Sequence, residues 1–108
     1  MSKIGENTSQ ENIEISQVAD NVAEFLKTLA NPNRLIILSY LREGESCVGD
    51  LEKRLNISQS ALSQHLSRMR GEGILVRRRE SQQIFYSIND DRVGKFLDVA
   101  YEVFCKKQ

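Results

Sequence analysis

The sequence predicts a mainly α-helical domain carrying one β-hairpin, and three observations lead there. Apolar residues recur at helical spacing in five separate stretches of the 108 residues. Capping and breaking residues punctuate those stretches. After Gly71 and Gly73 the period changes to the alternation of strands.

One domain is expected from this length, able to bury a modest core that a partner subunit would reinforce. Residues 1–12 read as a polar, flexible tail and residues 13–108 as the folded domain. From Ile15 the series Ile15, Val18, Val22, Phe25, Leu26, Leu29 predicts an amphipathic helix ending near Ala30. Asn31 is placed to cap a second helix with Pro32 at its first position, where a missing N–H costs nothing. Leu35, Ile36, Leu38 and Leu41 form its expected buried face, and Gly44 stops it.

Ser46 is the expected cap of a short third helix holding Val48, Leu51 and Leu55. Asn56, Ile57 and Ser58 make a tight turn, with Ser58 as the cap of a fourth helix whose Leu62, Leu66 and Met69 lie on one face. The stretches 74–79 and 84–88 then predict an antiparallel hairpin whose loop, around Ser81, Gln82 and Gln83, exceeds the minimal two residues. Asn89 or Asp90 opens a last helix with Val93, Phe96, Leu97, Ala100, Val103 and Phe104 on one stripe and lysines toward its C-terminus.

Composition narrows the function classes. Hydrophobic residues make 40% and charged residues 28% of the chain, ordinary for a soluble protein, and no apolar run approaches the roughly 20 residues of a membrane span. The polar start MSKIGENTSQENIEIS lacks the apolar centre of a signal peptide, so a cytoplasmic location without membrane contact is expected. Cys47 and Cys105 are too few for a disulfide scaffold.

Formal net charge is zero, yet its distribution is uneven. Residues 1–57 carry six Lys/Arg against nine Asp/Glu, whereas residues 58–88 carry five against two. That local excess acts over a Debye length of about 8 Å, so it can attract phosphate on an otherwise neutral chain.

A short helix, a three-residue turn and a polar-faced helix are the layout of a helix-turn-helix. The second helix must bury one stripe while offering small hydrogen-bonding side chains to base edges in the major groove. Gln59, Ser60, Ser63 and Gln64 meet that demand, Arg68 on the same polar face is a further candidate contact, and Ser58 and the helix N-terminus are able to hold a phosphate. Arg77, Arg78 and Arg79 on the first strand, with Gln82 and Gln83 at the tip, make a wing suited to the DNA backbone. The bland alternatives are a solvated helix face and a charged edge strand that guards against aggregation. Joined in this order, the elements predict a winged helix-turn-helix that binds double-stranded DNA.

The pieces LANPNRLIIL, ESCVGDL, SQSALSQHLSRMR and the hairpin closing on FYSI resemble the ArsR/SmtB family of bacterial winged-helix repressors, over roughly Phe25 to Ile88. The resemblance implies a homodimer, packed through its first and last helices, that binds an inverted-repeat operator and represses transcription. It also implies a histidine at the position of His65, which packs or contacts DNA.

Many members of that family release DNA on binding metal. The metal-sensing pattern ELCVCDL has two thiolates, whereas this chain has ESCVGDL, with Cys47 retained and Gly49 in place of the second cysteine. The last helix holds no histidine. Neither familiar metal site is expected, since a soft-metal site needs three or four donors, and no cofactor is expected. The sequence most resembles the HlyU/BigR-like branch, which implies sensing of oxidant or reactive sulfur by a cysteine on the second helix and another near the end of the last. Cys105 matches the latter; at the former stands Ser39, with Cys47 eight residues on. Cys105, with Cys47 as a second candidate, is the expected redox sensor, and the alternative is that both are ordinary small residues. An enzyme is not expected, because His65 and Ser63 point from different helical faces. The rival functions are a metal-responsive repressor with an unfamiliar site and a winged-helix protein-interaction module without DNA binding.

Overall fold

Helix α1 spans Ser9–Leu29 in a computed structural model that describes residues 9–105, with side chains from Glu14 onward. The helix begins ahead of the boundary expected at residue 13. Gln10 and Glu11 are good helix formers, so the helix propagates beyond its apolar stripe. The rest of the expected tail, residues 1–8, lies outside the described residues. Val18, Val22 and Leu26 follow one another at single-turn spacing and stand 58%, 48% and 40% exposed. The chain divides into two compact units, Met1–Ala30 and Asn31–Gln108.

In the second unit Asn31 has extended backbone, and its side chain accepts a hydrogen bond from the Arg34 N–H at 3.1 Å. It thereby caps α2, Pro32–Arg42, with Pro32 in the first turn as the sequence predicts. The buried face differs from expectation: Ile37 is fully buried beside Leu38 and Leu41, whereas Ile36 is 43% exposed. Four consecutive apolar residues, Leu35–Leu38, leave the inner face undetermined by period. The packing of α2 on the sheet and on the last helix decides it.

Three strands form one antiparallel sheet in the order β1-β3-β2: β1 Ser46–Cys47, β2 Leu75–Glu80 and β3 Gln83–Ile88. Strand β1 is absent from the sequence expectation. Ser46 pairs with Tyr86 and Cys47 with Phe85, so Ser46 is a ladder residue. Cys47 takes the cap position of α3, Val48–Arg54, without a side-chain capping bond. The hairpin is also tighter than predicted. Glu80 pairs with Gln83, leaving Ser81 and Gln82 as a two-residue turn. Ser81 adopts φ 57°, the left-handed conformation such a turn requires at its first position.

Helix α4, Gln59–Gly71, and helix α5, Asp91–Phe104, begin where the sequence places them. The Ser58 side chain accepts from Ala61 N–H at 3.1 Å and the Asp90 side chain from Arg92 N–H at 2.9 Å. Lys106 and Lys107, the expected C-terminal lysines, lie outside the described residues. The core of this unit joins Leu38 and Leu41 of α2, Leu51 of α3, Leu62, Leu66 and Met69 of α4, Leu75 and Tyr86 of the sheet, and Val93 and Leu97 of α5. Together these elements make a winged helix-turn-helix.

Candidate nucleic-acid interface

The face of α4 that leaves the core is set by the face that enters it. Leu62, Leu66 and Met69 are buried to within 1% of their surface, which fixes the helix rotation. Gln59, Ser60, Ser63, Gln64, Ser67 and Arg68 are consequently exposed along the opposite side. These side chains are short or flexible hydrogen-bonding groups, and among the described residues no buried polar residue competes with them for partners. The Ser58 hydroxyl is engaged in the helix cap and also lies 3.4 Å from the Ser60 hydroxyl.

Register divides the wing's three arginines. Cross-strand partners project to one side of a sheet, and successive residues alternate. Arg77 is paired with Tyr86 and Arg79 with Ile84, so both share the side of the buried Leu75 and Tyr86, which faces the helices. Arg78, paired with Phe85, takes the other side. Its guanidinium makes a bidentate contact to Glu45 at 2.7 and 2.9 Å, reaches Glu80 at 2.6 Å, and lies 4.7 Å from the Phe85 ring centre. These two carboxylates raise the Arg78 pKa and satisfy its charge within the protein. Of the arginines expected to grip phosphate, Arg77 and Arg79 therefore lie on the helix-facing side of the sheet, whereas Arg78 braces the sheet from the other. Arg77, Gln82 and Gln83 line one cleft with Ser63 and Ser67 of α4, bringing wing and helix side chains together.

His65 is half-buried on α4, and its Nδ1 accepts a hydrogen bond from Arg34 Nε at 3.2 Å. The neutral ring thus carries its proton on Nε2. Burial, then the guanidinium groups of Arg34 and Arg68, hold the imidazole below the ordinary histidine value. Arg34, Ser63, Gln64, His65, Ser67 and Arg68 line a second hollow beside the polar face of α4. Arg34 and Glu45 are not legible from the sequence as members of this region. Arg34 carries no signal beyond its place one turn into α2, and Glu45 precedes a strand too short to recognise.

The cysteines occupy unlike environments. Cys47, 7% exposed, is held in β1, whereas Cys105, exposed, ends α5. Ser39, at the position where the resembled branch has cysteine, hydrogen-bonds through its hydroxyl to the hydroxyl of Tyr101 on α5. Among the described residues, no three His, Cys, Asp or Glu side chains cluster as metal ligands do.

Comparison with known proteins gives one consistent picture. A family profile described as "Bacterial regulatory protein, arsR family" matches residues 31–76. The chain is 45% identical over 87 residues to the "Biofilm growth-associated repressor" of Agrobacterium fabrum, covering 81% of this chain and 74% of that protein. Among solved structures it is similar to the transcriptional regulator HlyU from Vibrio vulnificus CMCP6, with TM-score 0.79, 35% identity and coverage of 85% and 96% of the two chains. It is likewise similar to the transcriptional repressor BigR from Xylella fastidiosa, with TM-score 0.77, 38% identity and coverage of 90% and 98%.

Proposed function

We propose, for a chain that belongs to the arsR family of bacterial regulatory proteins, that it is a sequence-specific DNA-binding transcriptional regulator acting as a homodimeric repressor. The observation that carries this reading is the shared cleft of Ser63, Ser67 and Arg77. Arg77 beside Ser63 and Ser67 supports the reading in which the helix face contacts bases and the strand face holds phosphate from one concave side. Gln59, Ser60, Ser63 and Gln64 read base edges in the major groove, helped by Arg68 and by His65 where its Nε2–H is free to donate. Arg77 and Arg79, with Gln82 and Gln83 at the turn, hold the backbone. The Ser58 end of α4 supports a phosphate through its first amide groups.

One such unit covers only half of an operator. Val99, Val103 and Phe104 of α5 are 59%, 64% and 85% exposed, and α1 leaves Val18, Val22 and Leu26 in water. Apolar side chains in such number support burial in a dimer interface. Two-fold symmetry then sets two recognition helices about 34 Å apart and matches an inverted repeat.

The test is binding of the purified protein to promoter duplex and to a scrambled duplex at two salt concentrations. The expected preference for the operator is on the order of 10³-fold or more. Equal affinity for both duplexes would remove sequence-specific recognition, and binding to neither would reduce the chain to a protein-interaction module.

A second reading concerns the signal, and the exposure of Cys105 favours it. An accessible thiol can be oxidised or take up sulfane sulfur, whereas Cys47 is shielded in the sheet. Oxidant or polysulfide is expected to weaken operator binding, and Cys105→Ser to abolish that response. Unchanged binding after treatment of the wild type would remove Cys105 from the mechanism.

A further inference from the structure

The cleft between α3, α4 and the wing has two kinds of wall. Val48, Leu66, Ile84 and the ring of Tyr86 make it largely apolar, with Cys47 among them, and Arg77 adds a single cation. Its volume is about 530 Å³, inside the roughly 300–1,000 Å³ typical of small-molecule sites. Gly49 leaves the space beside the thiol unfilled: a Cβ there would meet only the Cys47 Sγ, at 4.0 Å. Among the described residues Arg77 has no carboxylate partner, in contrast to Arg78 on the same strand.

An apolar cleft with one uncompensated guanidinium complements one class of molecule. We infer that it binds a small amphipathic anion, a compact apolar body carrying one carboxylate or sulfonate. The anionic group pairs with Arg77, and the body lies against Val48, Leu66 and Ile84. A neutral apolar molecule would leave Arg77 unused, and an inorganic anion would leave the apolar wall wet. Ser63, Ser67, Gln82 and Gln83 line the same space, so an occupant and DNA compete for these side chains. This last step rests on the DNA-binding reading; binding of the anion does not.

Isothermal titration of the full-length protein, without DNA, with 1-naphthalenesulfonate or with neutral 1-naphthalenemethanol reads occupancy of the cleft. The sulfonate is expected to bind about tenfold more tightly than the alcohol, the scale of one charge-assisted hydrogen bond. Arg77→Gln should bring the affinity of the sulfonate down to that of the alcohol. Gly49→Leu, which fills the cleft from a helical position, should weaken binding of both compounds about tenfold or more, with a melting curve confirming that the variant folds. No binding of the sulfonate at millimolar concentration, or equal affinity for sulfonate and alcohol, overturns the inference. So does wild-type affinity for the sulfonate retained in either variant. A duplex titration without sulfonate reads DNA binding separately, so a chain that binds operator but not the sulfonate loses only the occupant of the cleft.

Discussion

Arg78 reaches from the middle of β2 to Glu45, immediately before β1, and its Nε and second Nη atoms stand 2.7 and 2.9 Å from the two carboxylate oxygens. A planar guanidinium against a planar carboxylate allows only one relative orientation. The pair therefore ties the outer strand of the wing to the segment that leads into the helix-turn-helix.

Breaking that tie should loosen the wing more than it destabilises the fold. Arg78→Ala and Glu45→Gln are expected to leave the melting temperature nearly unchanged, because both groups are exposed to solvent. Amide hydrogen exchange across β2 and β3 should accelerate in both variants. Hydrogen bonding to Arg78 holds the Glu45 carboxyl below its ordinary value of 4.5. The brace is accordingly complete above the ordinary value and is lost as pH falls through the lowered one. Exchange rates in the wing that do not respond to either substitution would contradict the brace.

Helix and wing substitutions should have different signatures. Ala at Gln59, Ser60, Ser63 or Gln64 should relax sequence preference by about 1–3 kcal/mol wherever a base contact is lost. Arg77→Ala and Arg79→Ala should weaken all duplexes alike and reduce the salt slope by about 1 each. Arg78→Ala should change that slope least, since its charge is already paired. Leu66→Ala, by contrast, should cost about 2–5 kcal/mol of stability in urea unfolding, because it empties a fully buried site.

Acid should act through His65, the chain's single histidine. Its folded pKa is lowered, so the unfolded chain takes up the proton first. The stability it contributes is present above the ordinary value of 6.5 and declines as pH drops from there toward the lowered folded value. Urea midpoints measured at pH 7.5 and 5.5 should therefore differ in the wild type, and the difference should shrink in His65→Phe. An identical difference in that variant would place the sensitivity elsewhere.

Self-association should depend on the end of α5. Phe104→Glu and Val103→Glu are expected to shift sedimentation toward monomer and to weaken operator binding together. Both residues are more than half exposed in a single chain, so the substitutions should leave the monomer's fold intact. A dimer that survives both would exclude this end of α5 from the interface.

Much of the second unit was legible before its structure, for a local reason. Asn31, Ser58 and Asp90 each cap a helix by bonding an amide two or three residues ahead, so the signal and its partner lie in one short window. The stripe of Leu62, Leu66 and Met69 is equally local and oriented the candidate reading face. Alternation along a strand likewise separates Arg78 from Arg77 and Arg79. Which side faces the helices was not legible, because it depends on what the hairpin packs against.

Periodicity and capping chemistry thus determined by themselves the helices, the hairpin and the exposed polar face of α4. Tertiary structure alone decided the two-residue strand β1, the inner face of α2, the Arg78–Glu45 brace and the Arg34–His65 hydrogen bond. Each of these four joins residues distant in sequence, and the side chains carry no local mark of the partner. Ser46 has the chemistry of a helix cap and becomes a ladder residue because Tyr86, forty positions later, supplies its strand partner. Local preference is a matter of tenths to about one kcal/mol, and a non-local hydrogen-bonded pairing that also buries apolar surface outweighs it.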